Sequence, residues 1–353
     1  MVEQNYNKIV NSLLRTLPDR GREVLERRYG IVGDPETLEA IGEDFSVTRE
    51  RVRQIEEAAF AQLRKAEEMK ELEDIFSYLY RHINDYGEHR REERLLNDFP
   101  GQKNSPAIIF LLDLGNDFKR RNETEKHYTL WTVNPTRLAH LEGFIGAVEQ
   151  RLEEISKPLN NVNFWKEVDK ISRKTKLSLS KKATESWLDI SKSIVQNRFN
   201  EWGLSSWPEI LPKSVGDKAY IVLRRENKPL HFAAIVDRMN KVHFSPSQNI
   251  KVGVRSNKPA HVQTVHNELI KDNRFVLVGR GIYALHEWGY EPGTVKDVLS
   301  KVLKDAGQPL PVNKIIAQVA KVRWVKPNTV MLNLQNKRLF SRTSRGEYTL
   351  RKA

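Results

Sequence analysis

Four side chains suited to hydrogen bonding with DNA bases lie close together near the N-terminus of the chain. They are Arg49, Glu50, Arg53 and Gln54, within the run VTRERVRQIE at 47–56. An arginine guanidinium can donate to guanine O6 and N7, a glutamine pairs with adenine, and a carboxylate accepts a hydrogen bond from cytosine N4. These residue types therefore indicate readout of base edges in a major groove.

A helix that begins at Thr48 would present these four side chains together. At 100° per residue they fall on one arc, and a separate apolar arc contains Val52, Ile55, Ala59 and Leu63. Amphipathic surface helices with a charged solvent face have a similar composition. The choice between the two interpretations depends on the segment before the helix.

The preceding segment has the features of a first helix followed by a tight turn. A helix over about 37–45 would turn Leu38 and Ile41 towards a core, and Gly42 would allow the two helices to approach closely. Ser46 and Val47 form the connection. Two helices joined by so short a turn predict a helix-turn-helix.

The segment closely resembles region 4 of the housekeeping bacterial sigma factors. The similarity extends upstream through LLRTLPDRGREVLERRYGI at 13–31 and covers about the first 65 residues. In that family the second helix reads the −35 promoter element, and region 4 also docks on the flap of the polymerase β subunit. The resemblance therefore implies promoter-like double-stranded DNA and bacterial RNA polymerase as partners. It assigns base reading to Arg49, Glu50, Arg53 and Gln54, and phosphate contacts to Thr48 and Arg51.

The sequence departs from the family pattern in three ways. Ser46 stands where the family usually has glycine, which carries a conformational cost if the turn needs a positive φ. No segment resembling regions 2 or 3 precedes residue 1, so we expect region 4 to act here without them. After the reading face, where the family often has basic residues, this chain has Glu57, Ala58, Ala61 and Gln62. The absence of basic side chains there weakens the anchoring of the helix to DNA phosphates.

The composition is that of a globular protein, and it limits the kinds of metal site and cross-link that the chain can form. The 353 residues allow two to four domains, with 39% hydrophobic and 30% charged residues. Because cysteine is absent, disulfides and thiolate metal sites are excluded. No apolar stretch approaches the ~20 residues of a membrane span and no signal-peptide core is recognisable, so we expect a cytoplasmic protein without a membrane partner.

The net charge of +13 is unevenly distributed. Residues 214–353 contain 25 Lys and Arg against 10 Asp and Glu, a net charge of +15, whereas residues 1–213 carry −2. A concentrated positive field favours a polyanion, since contacts with phosphates release counterions. A basic domain without such a role is the alternative.

This basic part contains an internal repeat. Residues 264–285 align without gaps with 329–350 at an offset of 65, and 227–239 parallels 307–319. Each unit is predicted to contain a helix, a short helix, a third helix and two short strands joined by a turn with glycine and arginine. That order is typical of a winged helix-turn-helix. The coinciding residues are Thr264/Thr329, Val265/Val330, Leu269/Leu334, Gly281/Gly346, Tyr283/Tyr348 and Leu285/Leu350.

The repeat also defines candidate phosphate contacts. Thr264 after Pro259, and Thr329 after Pro327, are predicted caps of the third helices. The turns at 279–281 and 344–346 each carry an arginine that could reach a phosphate or the minor groove, although a solvated turn charge is the simpler alternative for either one. The full set of candidates in this half is Lys258, Thr264, Arg280, Thr329, Arg342 and Arg345.

Units 214–288 and 293–350 resemble the HARE-type winged helix. This module occurs in the delta subunit of some bacterial RNA polymerases, in restriction-type systems and in chromatin proteins. The resemblance is carried by KPLHFAAIV at 228–236 and TVHNELIKDNRFVLVGRGIYAL at 264–285. It implies association with nucleic acid or a transcription complex, not a reaction.

A fainter third copy is predicted at 105–133, and helical patterns at 141–155 and 183–199 predict a helical spacer. The predicted fold is therefore mainly α, with an N-terminal helix-turn-helix, a helical middle, and tandem winged helix-turn-helix units with short β wings. The predicted domains are a helix-turn-helix at 1–68, a degenerate winged helix at 69–134, the spacer at 135–212, a HARE-type winged helix at 213–289 and its repeat at 290–353.

No pattern of catalytic residues is recognisable. The nine histidines are scattered, and the chain has no phosphate-binding Gly-Lys-Ser/Thr loop and no nucleophile elbow. We therefore expect neither an enzyme nor a bound cofactor or metal. The leading hypothesis is a sequence-specific, sigma factor-like transcription factor. Two alternatives remain open: a polymerase accessory subunit that docks without reading sequence, and the DNA-recognition component of a restriction or defence system.

Overall fold

The computed structural model describes residues 6–99, 105–242, 244, 259–290 and 292–351. The chain divides into two compact units, Met1–Ile194 and Val195–Ala353. Helices account for 58% of the structure and the strands form small antiparallel sheets, so the fold is mainly α, as predicted.

The chain begins with four helices, and the third and fourth form the predicted helix-turn-helix. Both lie within one or two residues of the predicted limits. The four are α1 (Tyr6–Leu14), α2 (Asp19–Tyr29), α3 (Leu38–Asp44) and α4 (Arg49–Leu63).

The next segment combines helices with a three-stranded antiparallel sheet. The third strand lies between the other two, so that Thr132 is opposite both His89 and Lys119. The elements are a short 3-10 helix (Glu67–Leu72), α5 (Glu73–Asp85), β1 (His89–Arg91), α6 (Glu92–Asn97), α7 (Ser105–Leu114), β2 (Lys119–Arg121) and β3 (Leu130–Thr132).

Helix α7, with the sequence SPAIIFLLDL, fastens this segment to the helix-turn-helix. The Phe110 ring stacks on Phe60 of α4 at 5.5 Å and meets Tyr29 of α2 edge-on at 5.4 Å. The Tyr29 hydroxyl donates to the Asp113 carboxylate at 2.9 Å, and Arg64 donates to the Asp113 carbonyl oxygen at 2.9 Å. The C-terminal end of α4 is therefore held by apolar packing and by hydrogen bonds.

Residues 135–212, predicted as a helical spacer, contain three helices and also short strands. The strands have two to four residues, too few to stand out against the strong helical periodicity around them. The order helix, strand, helix, helix, strand, strand is the same as in 73–132. The elements are a 3-10 helix (Pro135–Arg137), α8 (Leu138–Ile155), β4 (Leu159–Asn160), α9 (Asn161–Lys174), α10 (Lys181–Ile190), β5 (Ile194–Gln196) and β6 (Glu201–Leu204).

The same order occurs once more in the second unit. The predicted helices and terminal strands of this repeat are present, and a short strand that the sequence pattern did not predict precedes the second helix. The sheet again has its last strand in the middle. The elements are α11 (Val215–Glu226), β7 (Leu230–His231), α12 (Phe232–Lys241), α13 (Val262–Lys271), β8 (Phe275–Gly279), β9 (Ile282–Leu285) and a 3-10 helix (His286–Trp288).

The last repeat is a reduced version of this arrangement. In place of a first strand, Leu310 pairs with Tyr348 through two backbone hydrogen bonds of 2.9 and 2.8 Å. Val330 and Leu334 are buried, as are Val265 and Leu269 at the positions predicted to be equivalent. The elements are α14 (Val295–Ala306), α15 (Val312–Val322), α16 (Pro327–Leu334), β10 (Phe340–Arg342) and β11 (Tyr348–Leu350).

A buried histidine lies where α10 packs against β1. His89 Nδ1 is 2.8 Å from Thr132 Oγ1, and its ring centroid is 5.5 Å from that of Trp187. Its Nε2 atom has no hydrogen-bond partner among the described residues. Burial lowers the pKa of His89 from its ordinary value of 6.5 to about 4, so the folded protein holds the imidazole in its neutral form.

Acidification should therefore destabilise the first unit through His89. The unfolded chain takes up a proton here as the pH falls below 6.5, whereas the folded chain does so only near pH 4, so stability is lost between these values. Between about pH 7 and pH 5 we expect this group to lower the free energy of unfolding by about 2 kcal/mol. Urea unfolding followed by tryptophan fluorescence measures the loss.

The control is His89→Gln, which cannot take up a proton. This variant should lose about 2 kcal/mol less than the wild type between the same two pH values. Equal losses in the two proteins would contradict the role of His89.

Candidate nucleic-acid interface

Two threonines cap the helices of the helix-turn-helix. Thr37 Oγ1 accepts from the backbone N–H of Ala40 at 3.1 Å, and Thr48 Oγ1 accepts from that of Arg51 at 3.2 Å. Each cap satisfies a donor that would otherwise lack a partner within the helix, and contributes about 1 kcal/mol. Helix α4 therefore starts where the sequence predicted. The Thr48 hydroxyl proton can still be donated to a phosphate oxygen.

The turn between the helices requires a left-handed residue. Ser46 has a φ of 54°, and the next N–H, of Val47, donates to the Gly42 carbonyl oxygen at 2.9 Å. The conformational cost foreseen for Ser46 is thus present, about 1 kcal/mol for a residue other than glycine.

Gly42 of α3 allows the close approach that the sequence predicted, and the segment that approaches it is the turn before α4. A Cβ atom at this position would lie 2.8 Å from the carbonyl oxygen of Val47 and 3.5 Å from the backbone nitrogen of Arg49. Both are backbone atoms, so they cannot move aside as a flexible side chain would. Gly42 therefore fixes the start of α4 against α3.

A small core holds the N-terminal half of α4. Val52 is fully buried with Val24 of α2 and Ile41 of α3, and Leu38 and Phe45 pack around them. Because this core takes one arc of α4, the opposite arc faces solvent.

The four predicted base-reading side chains are all exposed on that opposite arc. Arg49 and Glu50 lie in the first turn of α4, and Arg53 and Gln54 lie in the second. Burial of one arc and exposure of the other agree with the positions predicted at 100° per residue. Hence the structure brings these four residues together on one surface.

Arg53 is the centre of an ion-pair network on this surface. Its Nε and Nη2 atoms donate to the two carboxylate oxygens of Glu50 at 2.9 and 2.6 Å, and its Nη1 atom donates to Glu57. The hydrogen bonds to Glu50 are the main cause of the raised pKa of Arg53, and they lower the pKa of Glu50. The guanidinium is therefore held in place before any DNA is bound.

A second pair links a predicted phosphate contact to a predicted base reader. Arg51 Nη1 donates to the side-chain oxygen of Gln54 at 3.1 Å. The amide nitrogen of Gln54 keeps two donors, and the second lone pair of its oxygen can accept from an adenine while Arg51 stays bound.

Glu57 also belongs to this surface, and its contact with Arg53 was not predicted from the sequence. It was noted only as a residue that weakens phosphate anchoring, yet its carboxylate contacts Arg53 directly. The i, i+4 spacing of Arg53 and Glu57 was the available signal, because side chains four residues apart on a helix are neighbours.

The predicted threonine caps in the second unit are wrong. Helix α13 begins at Val262 after His261, and α16 begins at Pro327 after Lys326, with no side-chain cap at either start. Thr264 and Thr329 are thus the third residues of their helices. Proline fits the first helical position because it lacks an N–H, so α16 starts two residues before Thr329.

The predicted arginines of the second unit lie in or beside hairpin turns. Arg280 is exposed in the two-residue turn between β8 and β9, and Arg345 is exposed in the longer turn between β10 and β11. Arg342 is exposed at the end of β10, and Thr264 is exposed on α13, whereas Thr329 is half-buried. Lys258 lies outside the described residues.

The third helix of the last repeat differs in chemistry from α4. Helix α16 contains no charged residue, and two large apolar side chains on it are exposed, Leu332 to 66% and Met331 to 47%. This helix offers no charged hydrogen-bonding group to a base edge. The charged candidate contacts of this repeat are therefore those of the hairpin, and Thr329 at the start of α16 is its remaining candidate.

Metal-binding clusters and membrane-spanning helices are both absent from the residues that the structure describes. None of their histidine, aspartate and glutamate side chains come together in a group of three or more that could hold a metal ion. Within the same ranges, every helix is too short or too polar to cross a membrane.

Comparison with known proteins places the helix-turn-helix in a family. Residues 13–65 match the family described as Sigma-70, region 4. The RNA polymerase sigma factor SigA of Clostridium acetobutylicum is 43% identical over 75 residues, which are 21% of this chain and 19% of that protein. SigA of Listeria monocytogenes is 46% identical over 67 residues, which are 19% of this chain and 18% of that protein. The chain thus spans about a fifth of the length of these relatives, and the resemblance predicted for its N-terminal part is confirmed.

The contact at Gly42 leads to a stability prediction. Gly42→Ala should lower the free energy of unfolding by about 1–3 kcal/mol, because the added methyl group meets the backbone of the turn. Chemical denaturation followed by circular dichroism measures the change.

Gly143→Ala provides a matched control on α8. A Cβ atom there meets no atom within 4 Å, so the substitution should stabilise the helix by up to about 1 kcal/mol. If Gly42→Ala were as stable as the wild type, the close packing of α3 on the turn would be disproved.

Proposed function

We propose that the protein is a sequence-specific DNA-binding transcription factor, similar to a sigma factor, that acts at promoters with bacterial RNA polymerase. The carrying observation is the surface of α4, where Arg49, Glu50, Arg53 and Gln54 are exposed on one arc of a capped helix. This helix lies within the segment that matches Sigma-70, region 4. The proposal includes no catalytic step and no cofactor, and it places the protein in the bacterial cytoplasm, with promoter DNA.

Base reading follows from the chemistry of the exposed arc. Arg53 can donate two hydrogen bonds to a guanine, Gln54 can pair with an adenine, and Glu50 can accept from a cytosine. Thr48 and Arg51, at the start of α4, supply phosphate contacts that set the register on the duplex. The first unit thereby chooses the site.

The basic second unit supplies most of the affinity in this proposal. We assign its two repeats to the HARE-type winged helix, which the order of helices and strands and the terminal hairpins support. Arg280, Arg342 and Arg345, with Lys258 and Thr264, contact phosphates, and Thr329 contributes from the start of α16. The net charge of +15 over 214–353 makes this binding sensitive to salt.

We also propose that the protein contacts RNA polymerase. The family resemblance implies that the binding site on the polymerase is the flap of the β subunit. The packing within the first unit favours a protein that reads DNA sequence over one that only docks on the polymerase. The apolar side of α4, from Val52 to Phe60, is covered by α2, α3 and α7, whereas its polar arc is exposed. The exposed surface of this helix is thus suited to bases.

Arg53→Ala should relax base preference at one position of the binding site. Removing a bidentate contact costs roughly 1–3 kcal/mol of discrimination, and selection of bound sequences from a random library measures it. Arg81→Ala, at an exposed arginine on α5, is the charge-matched control and should leave the preference intact. A selection profile unchanged by Arg53→Ala would refute base reading by α4.

The hairpin arginines should affect all sequences alike. Replacing Arg280 and Arg345 together by glutamine should weaken binding to matched and unmatched duplexes equally, and should reduce the slope of log affinity against log salt by about 2. Fluorescence anisotropy at several salt concentrations measures both quantities.

A variant with Lys304→Gln and Lys314→Gln removes the same charge from exposed positions on α14 and α15. It should change the slope less than the arginine variant. Equal slopes for the two variants would mean that the hairpins have no special role.

A further inference from the structure

Glu57 lies within the arc that carries the base-reading side chains. It follows Arg53 by four residues, which places the two side chains about 40° apart around the helix. Both are exposed, with 61% of the Glu57 side chain and 45% of the Arg53 side chain open to solvent. A DNA duplex that contacts Arg53 therefore also meets Glu57.

The two carboxylates that bind Arg53 take different edges of its guanidinium. Glu50 accepts from Nε and Nη2 and so occupies one edge in a bidentate manner. Glu57 accepts from Nη1, on the other edge. With both carboxylates in place, neither edge of the guanidinium is free to form two parallel hydrogen bonds with a guanine.

The roles of the two glutamates follow from these edges. If Glu57 releases Nη1, the edge formed by Nη1 and Nη2 can turn to a guanine while Nε remains on Glu50. Glu50 then holds the guanidinium in position, and Glu57 is the group that competes with the base.

The relative strengths of the contacts allow such an exchange. An exposed ion pair changes an equilibrium constant by up to about fivefold, whereas a bidentate arginine–guanine contact is worth about five- to 150-fold. A guanine at the matching position can therefore displace Glu57. The displaced carboxylate then lies near phosphates without its partner, which adds an unfavourable charge interaction.

We propose that Glu57 is a latch on Arg53 that lowers the affinity of α4 for DNA and opens only when a base accepts from both Nη1 and Nη2 of the guanidinium. This inference rests on the proposed function, since it concerns how α4 meets DNA. It makes Glu57 a specificity-determining residue of the reading surface.

A double-mutant cycle separates a latch from a simple charge effect. The four proteins are the full-length wild type, Glu57→Gln, Arg53→Ala and the double variant. The probe is a duplex selected with the wild-type protein, and affinity is measured by fluorescence anisotropy at constant salt. We expect Glu57→Gln to tighten binding by about three- to tenfold when Arg53 is present, and by less than about twofold in the Arg53→Ala background.

Glu43→Gln is the matched control, because it removes one negative charge from an exposed position on α3 outside the reading arc. It should change affinity by less than about twofold. Thermal unfolding and circular dichroism confirm that the exposed substitutions leave the fold intact.

The outcomes distinguish this inference from the proposed function. If Arg53→Ala weakens binding but Glu57→Gln brings no gain, or brings the same gain in both backgrounds or the same gain as Glu43→Gln, the latch is overturned and base reading stands. If Arg53→Ala itself leaves both affinity and selected sequence unchanged, base reading fails and the latch fails with it.

Discussion

The burial of one arc of α4 is the interaction on which the candidate interface depends. Val52 fills the small core with α2 and α3, and Phe60 stacks on Phe110 of α7 about two turns further along. The helix is therefore clamped at both ends, and its rotation about its own axis is fixed. Because the rotation is fixed, the arc from Arg49 to Gln54 must face outwards.

The exposed arc of α4 has almost no net charge, which bears on the different roles proposed for the two units. Arg49 and Arg53 are balanced by Glu50 and Glu57, and the arginine at the centre is held by both carboxylates. Such a surface attracts a polyanion weakly, and in the proposed function it discriminates between bases through hydrogen-bond geometry. In the same proposal the excess positive charge of residues 214–353 attracts DNA without discriminating between sequences.

The helix-turn-helix was largely predictable from the sequence because its signals are local. Thr48, the short turn and the apolar spacing of Val52 and Ala59 act within one or two turns, and the structure has the helix where these signals put it. The contact of Arg53 with Glu57 also has a local spacing, but a spacing does not tell which of several possible partners a guanidinium takes. The packing of Phe60 on Phe110 joins residues 50 positions apart, and no local pattern indicates it.

The repeated order of strands was harder to predict. Strands such as Leu159–Asn160 and Leu230–His231 have two residues, so alternation cannot be recognised in them. They are specified by pairing with strands far along the chain, as Leu230 pairs with Tyr283. The cap predicted at Thr329 failed for a different reason, since Pro327 starts its helix earlier than the cap rule suggested.

If α4 lies in the major groove of a preferred site, as proposed, a DNA-cleaving group tethered to the helix will show where it binds. Because the chain has no cysteine, Ala61→Cys introduces a single thiol at an exposed position just beyond the reading arc. An iron chelate attached there cuts nearby DNA when hydroxyl radicals are generated. We expect cuts confined to a few adjacent base pairs at the positions fixed by sequence selection. Cuts spread evenly along the duplex, or none above the level of the unmodified protein, would contradict it.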